Sequence, residues 1–362
     1  MSSPSDEKKQ HGVLATNQEY ARYDQVRKQQ RYHLTEQAAE EFDADFTIRS
    51  CDIGEALHGG EPGRRRFADE LGAALAEIGF AILVNHSTDP RLYEEIDALT
   101  GEFFTRFSLE EKLRFRARRH GSVNQGYFPI RETSDIHPDL VEGWVFCRRA
   151  FDVPGRRSSA PLQEFWPDPA YEPRLRRLVL ENERLILPVM QAMLTWLDVD
   201  PHLYDARLTQ PNIGLRLNYY PPLADEEAQS GCGRLLGHED VGMFTFVPAP
   251  EVEGLQVLNR RNMKWVRMQA PRGSLILNSG DYVQRITNDI LPSTTHRVAL
   301  PRDPALHRRP RVSFPMNVYV WEEEILEVLP GLADPKYAPI SAIEFHTRST
   351  SKFYGDDYAV RR

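Results

Sequence analysis

Apolar residues change their period along this chain. In the first half they recur at helical spacing: Phe67, Leu71, Leu75 and Ile78 fall on one face of segment 65–78, and Leu92, Ile96, Leu99, Phe103 and Phe107 form one stripe after Pro90. Gly79 ends the first of these helices, Pro90 opens the second, and Ser108 with Glu111 makes a capping box for a short third. A long helix is predicted from Pro173, with Leu175, Leu178, Leu185, Val189, Met193 and Trp196 facing inward and a kink at Pro188. Phe46–Arg49 alternates like a short strand, Phe80–Asn85 is an apolar run of buried-strand type, and residues 120–166 read as irregular connections, often a place for binding loops.

From Ile213 to Trp321 the period falls to two. Short β segments are predicted at Leu215–Tyr220, Met243–Val247, Gly254–Leu258, Lys264–Met268, Ser274–Asn278, Thr295–Leu300 and Arg311–Tyr319, with turn residues between them, the pattern of a sandwich or barrel. Segments 322–329 and 338–345 read as closing helices. The expected organisation is a polar extension over 1–43, an α/β region over 44–205 packing on the core, a β core over 206–321, and a helical segment and tail over 322–362. The extension suits a peripheral helix or a frayed start equally, and no site is placed there.

Composition narrows the function. The chain has 362 residues, and its 45 basic against 53 acidic side chains leave a net charge of −8, which gives no global field for nucleic acid or an anionic membrane. Neither an N-terminal signal-type run nor an 18-residue apolar stretch is present, so a cytoplasmic protein is expected. Cys51, Cys147 and Cys232 are odd in number and far apart, which indicates neither a disulfide scaffold nor a thiolate metal site.

The β half carries the chemistry. In His238-Glu-Asp240, read as the opening of the strand to Val247, residues i and i+2 share a face and can meet one ion. The tripeptide alone says little, because His137-Pro-Asp139 repeats it in a loop. Only His238 is followed at barrel-like spacing by a further histidine, His296, and then by Arg311-Val-Ser313. Two imidazoles and one carboxylate leave coordination positions open and suit a non-haem Fe(II) oxygenase. Arg311 is suited to a buried carboxylate co-substrate, being always charged and bidentate. Ser313 shares its face, and Asn218 and Tyr220 on an earlier strand offer an amide and a phenol to the remaining oxygens. The bland alternatives are a hydrogen-bonded histidine cluster and an arginine neutralising a structural acid.

The ordered set Asn218-Tyr-Tyr-Pro-Pro, His238-x-Asp240, Gly254-Leu-Gln-Val, His296-Arg-Val and Arg311-x-Ser313-x-Pro resembles the isopenicillin N synthase-like branch of Fe(II)/2-oxoglutarate-dependent oxygenases. Glu77-Ile-Gly-Phe-Ala-Ile-Leu-Val-Asn-His86 and Gly273–Asp281 extend the likeness over most of the chain. The resemblance implies a mainly β fold with flanking helices around a double-stranded β-helix, or jelly roll. It implies iron bound by His238, Asp240 and His296, and 2-oxoglutarate held by Arg311, Ser313, Tyr220 and Asn218. It also implies oxidation, hydroxylation by default, of an unactivated C–H of a small molecule with O₂, releasing succinate and CO₂.

Two departures bear on this. The link Pro301–Pro310 is lengthened and contains Arg308 and Arg309 as competitors of Arg311, with the Arg-x-Ser register favouring Arg311. Oxidases of the same family that use no 2-oxoglutarate also carry Arg-x-Ser, so the motif specifies an anion clamp and leaves its ligand open. A zinc-binding or non-catalytic barrel has the same ligands. Gln125, Tyr127, Phe128 and Arg131 in the irregular segment, with Phe244 and Phe246, are the candidate substrate contacts. Neither the substrate nor the oligomeric state is specified.

Overall fold

The computed structural model describes residues 20–21, 31–32, 35–36, 40–132, 139–224 and 233–354. Among them, 18 strands form two principal sheets and two small pairs. The small pairs are β1 (Tyr20–Ala21) with β2 (Arg31–Tyr32), and β17 (Ile325–Leu326) with β18 (Ile340–Ser341). The larger sheet runs β3 (Ser50–Asp52), β4 (Phe80–Val84), β13 (Leu275–Ser279), β10 (Phe244–Pro248), β16 (Met316–Tyr319), β8 (Asn212–Tyr220), β7 (Glu142–Cys147), β6 (Val123–Phe128) and β5 (Arg118–His120). A tenth strand, β15 (Arg311–Ser313), also pairs with β8, and every pairing except β3 with β4 is antiparallel. The smaller sheet runs β12 (Lys264–Arg267), β11 (Leu255–Asn259), β14 (His296–Val298) and β9 (Leu235–His238).

Strict alternation fixes which face of the larger sheet meets what. Leu215 and Leu217 of β8, Phe244 and Phe246 of β10, Leu275 and Leu277 of β13, and Met316 and Val318 of β16 join the main apolar core. This core also holds the inward stripes of α2 (Gly60–Ile78), α3 (Pro90–Arg106) and α5 (Glu172–Trp196). Burying each of these large side chains is worth roughly 1.5–3 kcal/mol. The alternate residues Arg216, Asn218, Thr245, Asn278 and Asn317 point the other way, into a cavity roofed by the smaller sheet. At one end the two sheets close on a second core of Ile48, Phe80, Ile82, Val257, Val266 and Ile276.

Local signals hold at the helix ends. Gly79 ends α2 at φ 71° with its N–H on Leu75 O, and Asp89 caps α3 with Pro90 in its first turn. The Ser108–Glu111 capping box opens α4 (Leu109–Leu113), and Pro188 lies inside α5. The remaining helices are α1 (Ile53–His58), α6 (Asp205–Leu208), α7 (Asp281–Ile286) and α8 (Ala342–Tyr354). Among the described residues no helix is long and apolar enough to cross a membrane.

Other expectations need correction. Much of the segment read as irregular, 120–166, supplies β6 and β7 to the larger sheet; β7 is buried on both faces, so its run Gly-Trp-Val-Phe-Cys carries no alternation to see. Segment 322–329 holds a turn and β17 in place of a helix, and the last helix begins at Ala342. The strand expected at Phe46–Arg49 lies just beyond it, at β3. Arg311–Tyr319 is two strands, β15 and β16, interrupted at Phe314 and Pro315, where Pro315 O accepts the Arg216 N–H.

The N-terminal extension, in its described part, is tied to the smaller sheet. Asp43 N donates to Trp265 O, Gln256 Nε2 donates to Glu36, and Trp265 Nε1 donates to Glu40. Glu40 also forms a buried ion pair with Arg297, whose guanidinium lies 3.7 Å from the centre of the Trp265 ring. Arg297 follows His296 in β14, so this strap anchors a strand that carries a site histidine. Glu40→Ala strands a buried guanidinium and should lower stability by about 3 kcal/mol. A urea midpoint unchanged from wild type would show that the strap contributes nothing.

Candidate metal centre and anion pocket

Register brings the two histidines together. His238 ends β9 directly opposite His296 of β14, and the ring centres are 4.4 Å apart. His238 Nδ1 donates to Leu236 O at 2.8 Å and His296 Nδ1 to Thr294 O at 3.1 Å, which leaves each Nε2 with its lone pair available. Asp240 lies in the turn after β9, not on the strand to Val247, so that β10 begins only at Phe244. Its Oδ1 is 3.7 Å from His238 Nε2 and 3.9 Å from His296 Nε2, and the three ligating atoms lie within 4.8 Å of one another.

The second carboxylate oxygen is tied down. Asp240 Oδ2 accepts from Thr245 Oγ1 at 2.6 Å and Asn278 Nδ2 at 2.8 Å, and Asn317 Nδ2 donates to Thr245 Oγ1 at 2.7 Å. Thr245 is the register partner of Asn278 on one side and Asn317 on the other, so three adjacent strands serve one carboxylate. The turn itself packs on Gly280, where a β-carbon would stand 2.1 Å from Gly242 O. Burial, and then the neighbouring His296, hold the His238 imidazole below its usual range and therefore neutral at pH 7. Burial alone would raise the Asp240 carboxyl, but the two imidazoles with Asn278 and Thr245 outweigh it and hold the group ionised. Neutral imidazoles and an ionised carboxylate are the forms that bind a divalent metal.

The same cavity, of about 1400 Å³ including its open mouth, has an anion-binding end. Arg311 and Ser313 of β15 stand opposite Tyr220 and Asn218 of β8. Arg311 is 2% exposed; its Nε donates to Val252 O, its Nη1 lies 3.4 Å from Ser313 Oγ, and its guanidinium stacks 4.8 Å from the Tyr220 ring centre. Among the described residues no carboxylate forms an ion pair with it, although Asp97 of α3 is close enough to feel its charge. Arg308 and Arg309, in the lengthened link, are exposed. Burial lowers the Arg311 pKa from its usual value.

The candidate substrate residues divide by strand face. Phe128 lines the cavity. Gln125 turns away to bond Phe165 O and Cys147 N, and the Tyr127 hydroxyl donates to Glu142. Phe244 and Phe246 pack in the main core, leaving Thr245 and Val247 between and beyond them to face the site. Arg131 is exposed at φ 63°, outside the cavity lining. His137 lies outside the described residues; Asp139 is buried and accepts from Leu236 N, apart from the triad. Sequence reasoning missed Arg216, which lies two residues before Asn218 on β8, and Thr245, which lies between Phe244 and Phe246 and has Asn278 and Asn317 as its register partners. It also missed Arg234, whose three guanidinium nitrogens are buried without hydrogen-bond partners near Tyr220. The wall is completed by His346 and Thr350 of α8. Removing one donor to Asp240, by Thr245→Val, should weaken Co(II) or Fe(II) binding by about 10-fold or more, read by equilibrium titration, with equal affinity counting against the support assigned to Oδ2.

Comparison with known proteins agrees with this geometry. The 2OG-Fe(II) oxygenase superfamily matches residues 211–316, and the non-haem dioxygenase N-terminal family, named for morphine synthesis, matches residues 48–169. The 2-oxoglutarate-Fe(II) type oxidoreductase ppzD of Metarhizium rileyi is 25% identical over 340 residues, covering 86% of this chain and 93% of that one. The 2-oxoglutarate-dependent dioxygenase citB of Monascus ruber is 27% identical over 275 residues, covering 70% and 80%. A full-length Neurospora crassa protein crystallised with alpha-KG (2-oxoglutarate) and thymine superposes with a TM-score of 0.73 at 24% identity, covering 84% and 96%, and establishes the likeness of fold. With the two matched segments together spanning more than half of the sequence, and the His238, Asp240 and His296 side chains gathered inside the β core, the chain belongs to the 2OG-Fe(II) oxygenase superfamily.

Proposed function

We propose that His238, Asp240 and His296 hold one Fe(II), that Arg311, Ser313, Tyr220 and Asn218 bind 2-oxoglutarate, and that the protein hydroxylates an unactivated C–H of a small molecule. The observation that carries this is the placing of two incomplete binding groups in one cavity. Among the described residues, three convergent ligand atoms have no further protein ligand within their cluster, and no carboxylate forms an ion pair with the buried Arg311. When bound, iron with 2-oxoglutarate supplies O₂ activation, coupled to the splitting of the co-substrate into succinate and CO₂.

The residues fit these groups. Nε2 of each histidine and Oδ1 of Asp240 are the atoms left uncommitted by the hydrogen bonds, and iron held by these three ligands would keep positions open for co-substrate and O₂. Val252 O fixes the Arg311 Nε edge, so the guanidinium offers its terminal nitrogens to a carboxylate. Tyr220 stacks on its face, and the Ser313 hydroxyl adds a donor at its side. Phe128, Val145, Val247 and Leu255 form apolar wall that limits water beside the reacting atoms.

Anaerobic titration of the Fe(II) protein with 2-oxoglutarate should give the visible charge-transfer band with saturable affinity. Arg311→Ala should raise the apparent Kd about 30-fold or more, since it removes a buried charge-assisted pair worth at least about 2 kcal/mol. Iron binding without a band would replace this reading with an oxidase that needs no 2-oxoglutarate. His238→Ala, Asp240→Ala and His296→Ala should each abolish Fe(II) retention and O₂ uptake; a fully active variant at any of the three positions would remove that ligand from the centre.

A further inference from the structure

The cavity contains a second cation that the co-substrate site leaves unused. Arg216 lies four residues before Tyr220 on β8 and on the same face, so the two α-carbons are about 13 Å apart along the strand. Arg311 is the register partner of Tyr220, which puts the two guanidinium-bearing positions toward opposite ends of one wall, in a cavity that the metal triad also lines.

Arg216 is held in place without being neutralised. Its Nε donates to Asn218 Oδ1 at 2.8 Å, and its guanidinium lies 5.5 Å from the centre of the Phe128 ring. Gly143 on the neighbouring strand leaves room for it: a β-carbon there would come within 3.2 Å of Nη2. Nη2 is buried with no hydrogen-bond partner, and among the described residues no carboxylate pairs with the group. Two buried arginines away from the cavity lining are treated differently, Arg148 being paired with Glu183 and Arg297 with Glu40. A cation fixed at one edge, with its terminal nitrogens uncommitted in a half-apolar cavity, is arranged to receive an anion from outside the chain.

We propose that Arg216 binds a carboxylate of the substrate to be oxidised, so that the protein acts on a C–H of an organic acid. A single guanidinium matches one carboxylate charge, whereas a phosphate would bring nearly two. Phe128, Val145 and Leu236 on the cavity wall suit an apolar body attached to that carboxylate. The assignment rests on the reading of Arg311 as the co-substrate clamp, because that clamp is what leaves Arg216 unoccupied.

The test is anaerobic calorimetry on the Fe(II) protein saturated with 2-oxoglutarate, so that added acids cannot occupy Arg311. The probes are matched pairs: benzoate with benzamide, phenylacetate with phenylacetamide, and octanoate with octanamide. An acid should bind at least about 10-fold more tightly than its amide. Arg216→Gln should erase that preference while leaving the 2-oxoglutarate charge-transfer band within a few-fold of its wild-type affinity, and Arg216→Lys should restore part of it. Equal binding of every acid and its amide, or a preference that survives in Arg216→Gln, overturns the proposal. Loss of the 2-oxoglutarate band in Arg216→Gln overturns it too, by moving Arg216 into the co-substrate site. If wild type itself shows no band, the co-substrate reading fails separately, and the same acid and amide titrations without 2-oxoglutarate still decide the role of Arg216.

Discussion

The hydrogen bonds that converge on Asp240 Oδ2 are the constraint around which the site is arranged. Asn278 and Thr245 reach this oxygen from adjacent strands, and Asn317 on a third strand holds Thr245. Each of these side chains is the polar member of an alternating pair whose apolar neighbour lies in the helix-covered core. A slip of one residue in any of the three strands would turn a leucine, phenylalanine or methionine toward the carboxylate and bury an amide against α5. Core packing and metal-ligand geometry are therefore one condition, met or lost together.

Electrostatics then separates the cavity into regions. Around the triad, burial keeps an imidazole neutral while hydrogen bonding keeps the carboxylate charged, so one negative charge faces the ligand position. At the β8–β15 end, Arg311 is buried with Arg234 nearby, and among the described residues its hydrogen bonds go to neutral partners, Val252 O and Ser313 Oγ. An anion entering there exchanges water for a guanidinium whose desolvation was already met during folding, an instance of preorganisation.

Much of this was legible in the sequence. The triad and the Arg311 motif are short and ordered along the chain, and six of the seven expected β segments of the second half match single strands to within about three residues. What failed did so for identifiable reasons. β7 is covered on both faces, so Trp144, Val145 and Phe146 show no alternation. β9 is four residues long and includes Gly237, too short and weak a signal to separate from the turn that holds Asp240. Phe244 and Phe246 attracted attention as large aromatics, although their spacing from Thr245 already placed them on the opposite face. The strap of Glu36 and Glu40 was invisible because its partners, Gln256 and Arg297, are more than 200 residues away.

The wall of the cavity is completed by α8, through His346 and Thr350, while the metal ligands and the anion clamp all lie upstream of residue 314. During synthesis the reactive centre is thus encoded before the element that encloses it. Changes confined to α8 alter the shape and shelter of the chamber without touching a ligand atom, so accessibility and reactivity can be inherited as separate traits.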